Sequence, residues 1–206
     1  MDAKRIVAEG YDAVAERYAA LEEQEWPRLR WLRLVLDRLL PGSAVLDLGC
    51  GNALPAGAEI VSRGHALIGV DISAHQVELA RANVPEGTFL QGDMASVHFP
   101  AGAFDAVVAF YAIGHVPREE HPDLLRRIHG WLEPGGLLLL SEEDADRAGA
   151  VGDWLGAPMF FSGHDAPTLR RLVEEAGFEV ERAAVERQRE QGVDVPFAWI
   201  LARKLR

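Results

Sequence analysis

Three aspartates stand at the ends of three successive apolar runs. Asp47 lies within Val45 to Leu48, two residues before a Gly49-Cys50-Gly51 turn. Asp71 follows Ala66 to Val70, and Asp93 follows Gly92 at the end of a shorter run, Thr88 to Gln91. Carboxylates in such places bind hydroxyls, bind cations or cap turns. A strand, a glycine turn, a helix and a second strand that ends on an acid form the first half of a nucleotide-binding α/β unit. In that unit the acid holds ribose hydroxyls. The glycine spacing is incomplete for a dinucleotide, with Leu54 at the third position. Asp47 would also oppose a diphosphate at the turn. A cationic ligand with a ribose suits the set better.

The surrounding pattern supplies the elements that position these acids. Strands are expected at 44–48, 66–70, 88–91, 105–110 and 137–141. Helices at about 53–63, 73–83 and 118–132 alternate with them, which predicts a parallel sheet covered on both faces. Two helices precede the first strand. Val7, Tyr11, Val14, Tyr18 and Leu21 fall on one face of the first, over 3–23, and the second runs from near Trp26-Pro27 to Leu40. This extension must pack somewhere, and the mouth of the ligand site is one candidate. From Glu142 to Asp165 periodicity fails although the stretch is apolar, so it is expected to be a loop that covers something. A helix begins at Asp165 and Pro167 and ends at Ala176-Gly177. Strands at 178–185 and 195–202 then close an antiparallel edge, with the polar segment Glu186 to Asp194 between them.

The 206 residues suit one domain: a helical cap (1–41), a cofactor-binding core (42–141), a substrate-side loop (142–165) and a closing helix with strands (166–206). A net charge of −11 argues against nucleic acid as the main partner, and no apolar run reaches membrane-spanning length. One cysteine and the absence of a signal-peptide pattern fit a cytoplasmic monomer or homodimer. The histidines show no metal-ligand spacing, and no metal is expected. S-adenosylmethionine has the required ligand character, with a sulfonium, an ammonium, a ribose diol and no phosphate.

At this point the chain resembles the class I S-adenosylmethionine-dependent methyltransferases, in their small-molecule branch. VLDLGCG (45–51), GVDIS (69–73), GDM (92–94), FDAVVAFYAIGHV (104–116) and LEPGGLLLL (132–140) carry the resemblance, in order and over nearly one hundred residues. GHDAPTLRRLVEEAGFEV (163–180) and FAWILARK (197–204) are similar to the family's closing helix and last strand. The resemblance implies a Rossmann-like, doubly wound seven-stranded sheet, mostly parallel, whose last strand inserts antiparallel. It implies that the backbone of Gly49, Cys50 and Gly51 approaches the methionine part of the cofactor and that Asp47 reaches the ammonium. Asp71 would take both ribose hydroxyls, with Ile72 packed on the adenine. Gly92, Asp93 and the Met94 N–H would meet the base, flanked by Gln76. Phe110, Tyr111 and Ala112 would lie beneath the sulfonium, and Tyr18 would close over the methionine end. Ala53 departs from the family's third glycine, so the helix after it is expected to begin late.

Methyl transfer to O or N is an in-line displacement, and a base is needed only if the acceptor keeps its proton. Candidates around the methyl group are His115, Tyr111 and His164, with Tyr11, Trp26, Trp154, Met159 and Phe160 as further acceptor contacts. His115 could equally only hold its loop, and His164 could only start the late helix. Glu142 and Glu143, just past the fifth strand, could pair with a basic amine or be solvated. Asp105 starts its strand and reads as structural, and Cys50 as a small turn residue. The lack of an Asn/Asp-Pro-Pro-Tyr motif at the exit of the fourth strand favours a small-molecule acceptor. A nicotinamide oxidoreductase, a non-methyl transfer from the same cofactor and a non-catalytic binding module stay open as alternatives.

Overall fold

Buried strands of a doubly wound sheet alternate their side chains between two helical layers, and the runs in this sequence do so. The computed structural model describes residues 2–21, 27–190 and 192–205. β1 (Ala44–Leu48), β2 (Ala66–Asp71), β3 (Thr88–Gln91), β4 (Phe104–Phe110) and β5 (Leu132–Glu143) are parallel. β8 (Phe178–Glu190) and β9 (Val193–Lys204) complete a seven-stranded sheet in the order β3-β2-β1-β4-β5-β9-β8. The last strand lies antiparallel between β5 and β8. Val45, Ala106, Val108, Leu137 and Leu139 face a layer that includes Trp31, Leu32 and Ile60. Their neighbours Leu46, Val107, Leu138 and Leu140 face Leu124, Ile128, Leu169 and Val173. Each such valine, leucine or isoleucine, once buried, contributes roughly 1.5–3 kcal/mol.

The helices are α1 (Ala3–Leu21), α2 (Arg28–Leu36), α3 (Ala56–Ser62), α4 (Ala74–Asn83), α5 (His121–Trp131) and α6 (Ala166–Glu175). Ser73 caps α4 by accepting from the Gln76 N–H, and Asp165 caps α6 by accepting from Thr168 N–H. Asp105 accepts from the Ala44 N–H at 2.7 Å, at the strand end away from the ligand edge. α3 begins late because Ala53 takes φ 65° where a glycine would be unstrained, and Pro55 then opens the helix.

Four expectations are corrected. The stretch after Ser141 is not an irregular loop: β5 continues to Glu143, and β6 (Arg147–Trp154) pairs antiparallel with β7 (Ala157–Gly163). Leu155 and Gly156 both have positive φ, 53° and 85°, as a two-residue hairpin turn requires. Leucine at the first of these positions hides the turn signal. The polar segment 186–194 is also largely strand, extending β8 to Glu190 and starting β9 at Val193. α2 ends at Leu36, short of the expected Leu40. A 3-10 turn, Arg118–Glu120, replaces the expected first turn of α5.

Register brings the chemistry to one edge. Leu48 pairs with Val70 and Asp71 with Gln91, while Phe110 pairs with Ser141. The glycine turn, Asp71, Gly92-Asp93, Tyr111 and Glu142 therefore leave the sheet together. β1, between β2 and β4, marks the switch point where ligands bind in such sheets. α1 lies across this edge. Asp12 accepts from Ser73 Oγ at 2.5 Å and from the His75 N–H at 3.1 Å, and Lys4 pairs with Asp93 at 2.9 Å and Glu120 at 2.7 Å.

Candidate active site

The cleft at the switch point has about 800 Å³ of empty space, its open mouth included. It is lined by Tyr18, Asp47, Gly49, Cys50, Gly51, Asp71, Ile72, Gly92, Asp93, Met94, Phe110, Tyr111 and Ala112, all expected there from the sequence. Gln76 is the exception. Its amide is buried behind the turn, where Oε1 would lie 3.8 Å from a Cβ on Gly51. Gln76 is one of the buried residues of α4 and does not line the cleft.

The glycine turn is built from φ +71° at Gly49 and +53° at Gly51. A Cβ on Gly49 would stand 2.3 Å from Ala112 Cβ, so the turn packs directly on the exit of β4. Asp71 holds both sides of this arrangement: Oδ2 accepts from the Gly51 N–H at 2.8 Å and Oδ1 from the Ser73 N–H at 2.9 Å. Burial pushes its carboxyl up to about 6 despite those two bonds. Asp93 behaves oppositely. Burial raises it, but Lys4, Ser96 Oγ and the Ala95 N–H together bring it below the usual carboxylate range. Burial lifts the Cys50 thiol well above its ordinary value, with Asp71 and Asp47 adding to it, so this group is neutral and no nucleophile.

Tyr111 leaves β4 with φ 56°, an outlier for a bulky residue. The conformation is held from both ends: its N–H bonds to Ser141 O at 3.0 Å and its hydroxyl donates to Gln188 Oε1 at 3.0 Å. The ring packs edge-on to Phe197 and Trp199, and the Arg28 guanidinium lies over it at 5.1 Å. Strain of this kind, over-determined by its surroundings, is common at sites where a side chain must be fixed in advance. Burial raises the phenol, with the Arg28 charge opposing, so Tyr111 is no base.

A second chamber adjoins the cleft, with about 830 Å³ of empty space including its opening. Tyr11, Tyr18, Tyr111 and His115 line both. The rest of the chamber includes Trp154, Phe161 and Phe197. His115 Nδ1 lies 2.8 Å from Phe160 O, which can only accept, so that nitrogen carries the proton. Nε2 then accepts from the Tyr11 hydroxyl at 2.8 Å. Burial lowers the imidazole to about 4, against the Phe160 bond, and His115 is neutral at pH 7.

Of the acceptor contacts expected from the sequence, Tyr11, His115, Tyr111 and Trp154 line the chamber and three do not. Met159 is fully buried under α1, its Cε 2.9 Å from where a Cβ on Gly10 would be. Phe160 is on the opposite face of β7, against Gly149, and its neighbour Phe161 reaches His115 at 5.1 Å between ring centroids. His164 packs on His121 at 5.3 Å beyond the end of β7, away from cleft and chamber alike. Trp26 lies outside the described residues. Sequence reasoning missed Arg28 and Lys4 in the cleft and Phe161, Arg147 and Glu190 in the chamber. No motif marks them, although strand alternation would have preferred Phe161 to Phe160 once β7 was recognised. Among the described residues no group of three metal-ligating side chains is assembled, and no helix is long and apolar enough to cross a membrane.

The donor set fits S-adenosylmethionine. A buried carboxylate faces the cleft beside a turn in which Gly49 has no room for a side chain, with further carboxylates at the neighbouring strand ends. The cleft's cations are Lys4, committed to Asp93 and Glu120, and Arg28, over Phe110 and Tyr111. The ribose role expected of Asp71 requires its ionised form, so affinity for S-adenosylhomocysteine should be level above about pH 7 and fall as pH drops through 6. At pH 5 the expected loss is about tenfold. Calorimetry from pH 5 to 8 checks this, and a flat profile would remove Asp71 from the binding role.

Comparison with known proteins agrees. Residues 18–183 match the model of a family described as methyltransferase domain. An uncharacterised methyltransferase of Synechocystis is 29% identical over 178 residues, covering 82% of each chain. The 27-O-demethylrifamycin SV methyltransferase of Amycolatopsis mediterranei is 29% identical, covering 86% of this chain and 75% of that one. The fold is shared with the 1,6-didemethyltoxoflavin-N1-methyltransferase of Burkholderia thailandensis, solved with that compound and S-adenosylhomocysteine bound. Its TM-score is 0.75 at 18% identity, covering 97% of this chain and 87% of that chain. With the glycine turn, the acids at the strand ends and the inserted last strand already in place, the match over residues 18–183 is decisive: the chain belongs to the methyltransferase-domain family and is a class I S-adenosylmethionine-dependent methyltransferase.

Proposed function

We propose that this chain methylates an oxygen or nitrogen of a small molecule held in the aromatic chamber. The observation that supports this reading is the set of four side chains, Tyr11, Tyr18, Tyr111 and His115, that lines both cleft and chamber. A group bound in one space meets a group bound in the other only there. One relative and one structural neighbour are named for small molecules, 27-O-demethylrifamycin SV and 1,6-didemethyltoxoflavin.

When bound, S-adenosylmethionine supplies a methyl group activated by its sulfonium. The protein's work is to orient, exclude water and handle a proton. Asp71 takes the ribose hydroxyls, Asp93 the adenine amino group, and Ile72 and Met94 flank the base. Asp47 faces the ammonium, and Arg28, missed in the sequence, offers its guanidinium to the carboxylate. Tyr18 and α1 cover the methionine end. His115 Nε2 is the proton acceptor: it receives the Tyr11 proton as the Tyr11 hydroxyl takes one from the acceptor. An imidazole held near 4 is a weak base, suited to a proton made acidic as the new bond forms.

Replacing His115 by phenylalanine should lower kcat about 100-fold or more while changing S-adenosylhomocysteine affinity less than about threefold. Steady-state kinetics beside calorimetry checks this. An unchanged kcat would leave His115 as a loop-holding residue only.

A further inference from the structure

The charged lining of the chamber is mostly acidic. Glu142, Glu143 and Glu190 face it, against one arginine, Arg147. Arg147 is committed: Nη2 donates to Glu143 Oε1 at 3.0 Å, and its guanidinium lies over the Phe161 ring at 5.6 Å. Glu142 and Glu190 have no ion-pair partner among the described residues.

Glu142 carries the argument. It is 2% exposed, on β5 just past Ser141, so it is not the solvated rim residue that is one of its two sequence readings. A Cβ on Gly114 would stand 2.2 Å from Oε1 and one on Gly163 3.3 Å from it, so the backbone is shaped around this side chain. Oε2 is buried without a hydrogen-bond partner among the described residues. Buried carboxyl oxygens are normally satisfied, and leaving one unpaired costs about 1–3 kcal/mol. Trp154 Nε1 is likewise buried without a partner among those residues, and both residues line the chamber. Much of the remaining wall is aromatic.

We propose that the methyl acceptor carries a basic amine, which donates to the Glu142 carboxyl group, with Glu190 adding negative charge on the wall of the same chamber, while its flat apolar body rests on Trp154, Phe161 and Phe197. This rests on the chamber being the acceptor's binding space. Burial supports it: Glu142 is held well above the carboxylate range, the Glu143 charge adding, and Glu190 is pushed up to about 7. An arriving ammonium reverses this, so the bound acids ionise and a proton is released.

Calorimetry on protein saturated with S-adenosylhomocysteine tests the assignment. The probes are 2-phenylethylamine and tryptamine, with 2-phenylethanol and 3-phenylpropionate as neutral and anionic counterparts. At least one amine should bind about tenfold or more tighter than the alcohol, as a charge-assisted bond implies, and the acid weakest. Heats measured in phosphate and in Tris at pH 7 should differ in the sense of proton release. Glu142→Gln should remove the amine preference while leaving S-adenosylhomocysteine affinity intact; if that variant does not fold, Glu190→Gln should reduce the preference instead. Equal binding of amine and alcohol, no binding of either amine, or a preference that survives in the folded variants would overturn the proposal. Failure of S-adenosylhomocysteine itself to bind would instead overturn the cofactor-site reading.

Discussion

Replacing Asp71 by alanine should weaken S-adenosylhomocysteine binding on the order of 100-fold. The carboxylate holds the Gly51 and Ser73 N–H groups and presents its remaining lone pairs to the cleft. Two charge-assisted bonds to a diol give about 1.5–3 kcal/mol each, less what water and loop relaxation recover. The same change strands the Gly51 N–H. Stability should fall by about 2 kcal/mol and Tm by roughly 4–8 °C, which leaves a folded protein to measure. Calorimetry and thermal unfolding read the two effects separately, and an affinity within about threefold of the parent protein would refute the ribose assignment.

The second large effect is expected at Gly49. An alanine there must adopt φ +71° and place its Cβ 2.3 Å from Ala112 Cβ, with Met94 Cε at 3.3 Å. The left-handed conformation costs about 1–2 kcal/mol and the overlap about 1–3 kcal/mol more. Relief requires either β4's exit or the glycine turn to move, and both line the cleft. Gly49→Ala should lower Tm by roughly 6–12 °C and abolish measurable cofactor binding. Gly64→Ala is the control: it too has positive φ, at +81°, but its Cβ would meet nothing within 4 Å. It should lose only the conformational cost of about 1–2 kcal/mol and no binding. Equal binding losses in the two variants would show that strain alone, not the contact with Ala112, governs the site.

The parallel core was legible in the sequence because strands buried on both faces read as continuous apolar runs. Acids at their ends then pointed to one ligand edge. Asp71 and the glycine turn needed no structure to be found, since the register Leu48 to Val70 follows from where both runs stop. The acceptor side was less legible. Leu155 conceals a hairpin turn that asparagine would have announced, so β6 and β7 read as a loop. Without that hairpin no alternation could be assigned, and a one-residue shift exchanged Phe160 for Phe161. Glu190 was hidden in a polar strand, paired with Val193 of β9, whose composition is that of a loop. Arg28 opens a helix and has no local signature; only the packing of α2 against β4 brings it over Phe110 and Tyr111.

The central claim is methyl transfer to a small molecule across the ring of Tyr11, Tyr18, Tyr111 and His115. Its most direct test is incubation with methyl-labelled S-adenosylmethionine and, separately, amine-bearing small molecules, RNA and protein, followed by mass spectrometry of each fraction. The account predicts label in the small-molecule fraction with matching S-adenosylhomocysteine, and loss of that label in the His115→Phe protein. Label confined to RNA or protein, or bound cofactor with no labelled product in any fraction, would contradict it.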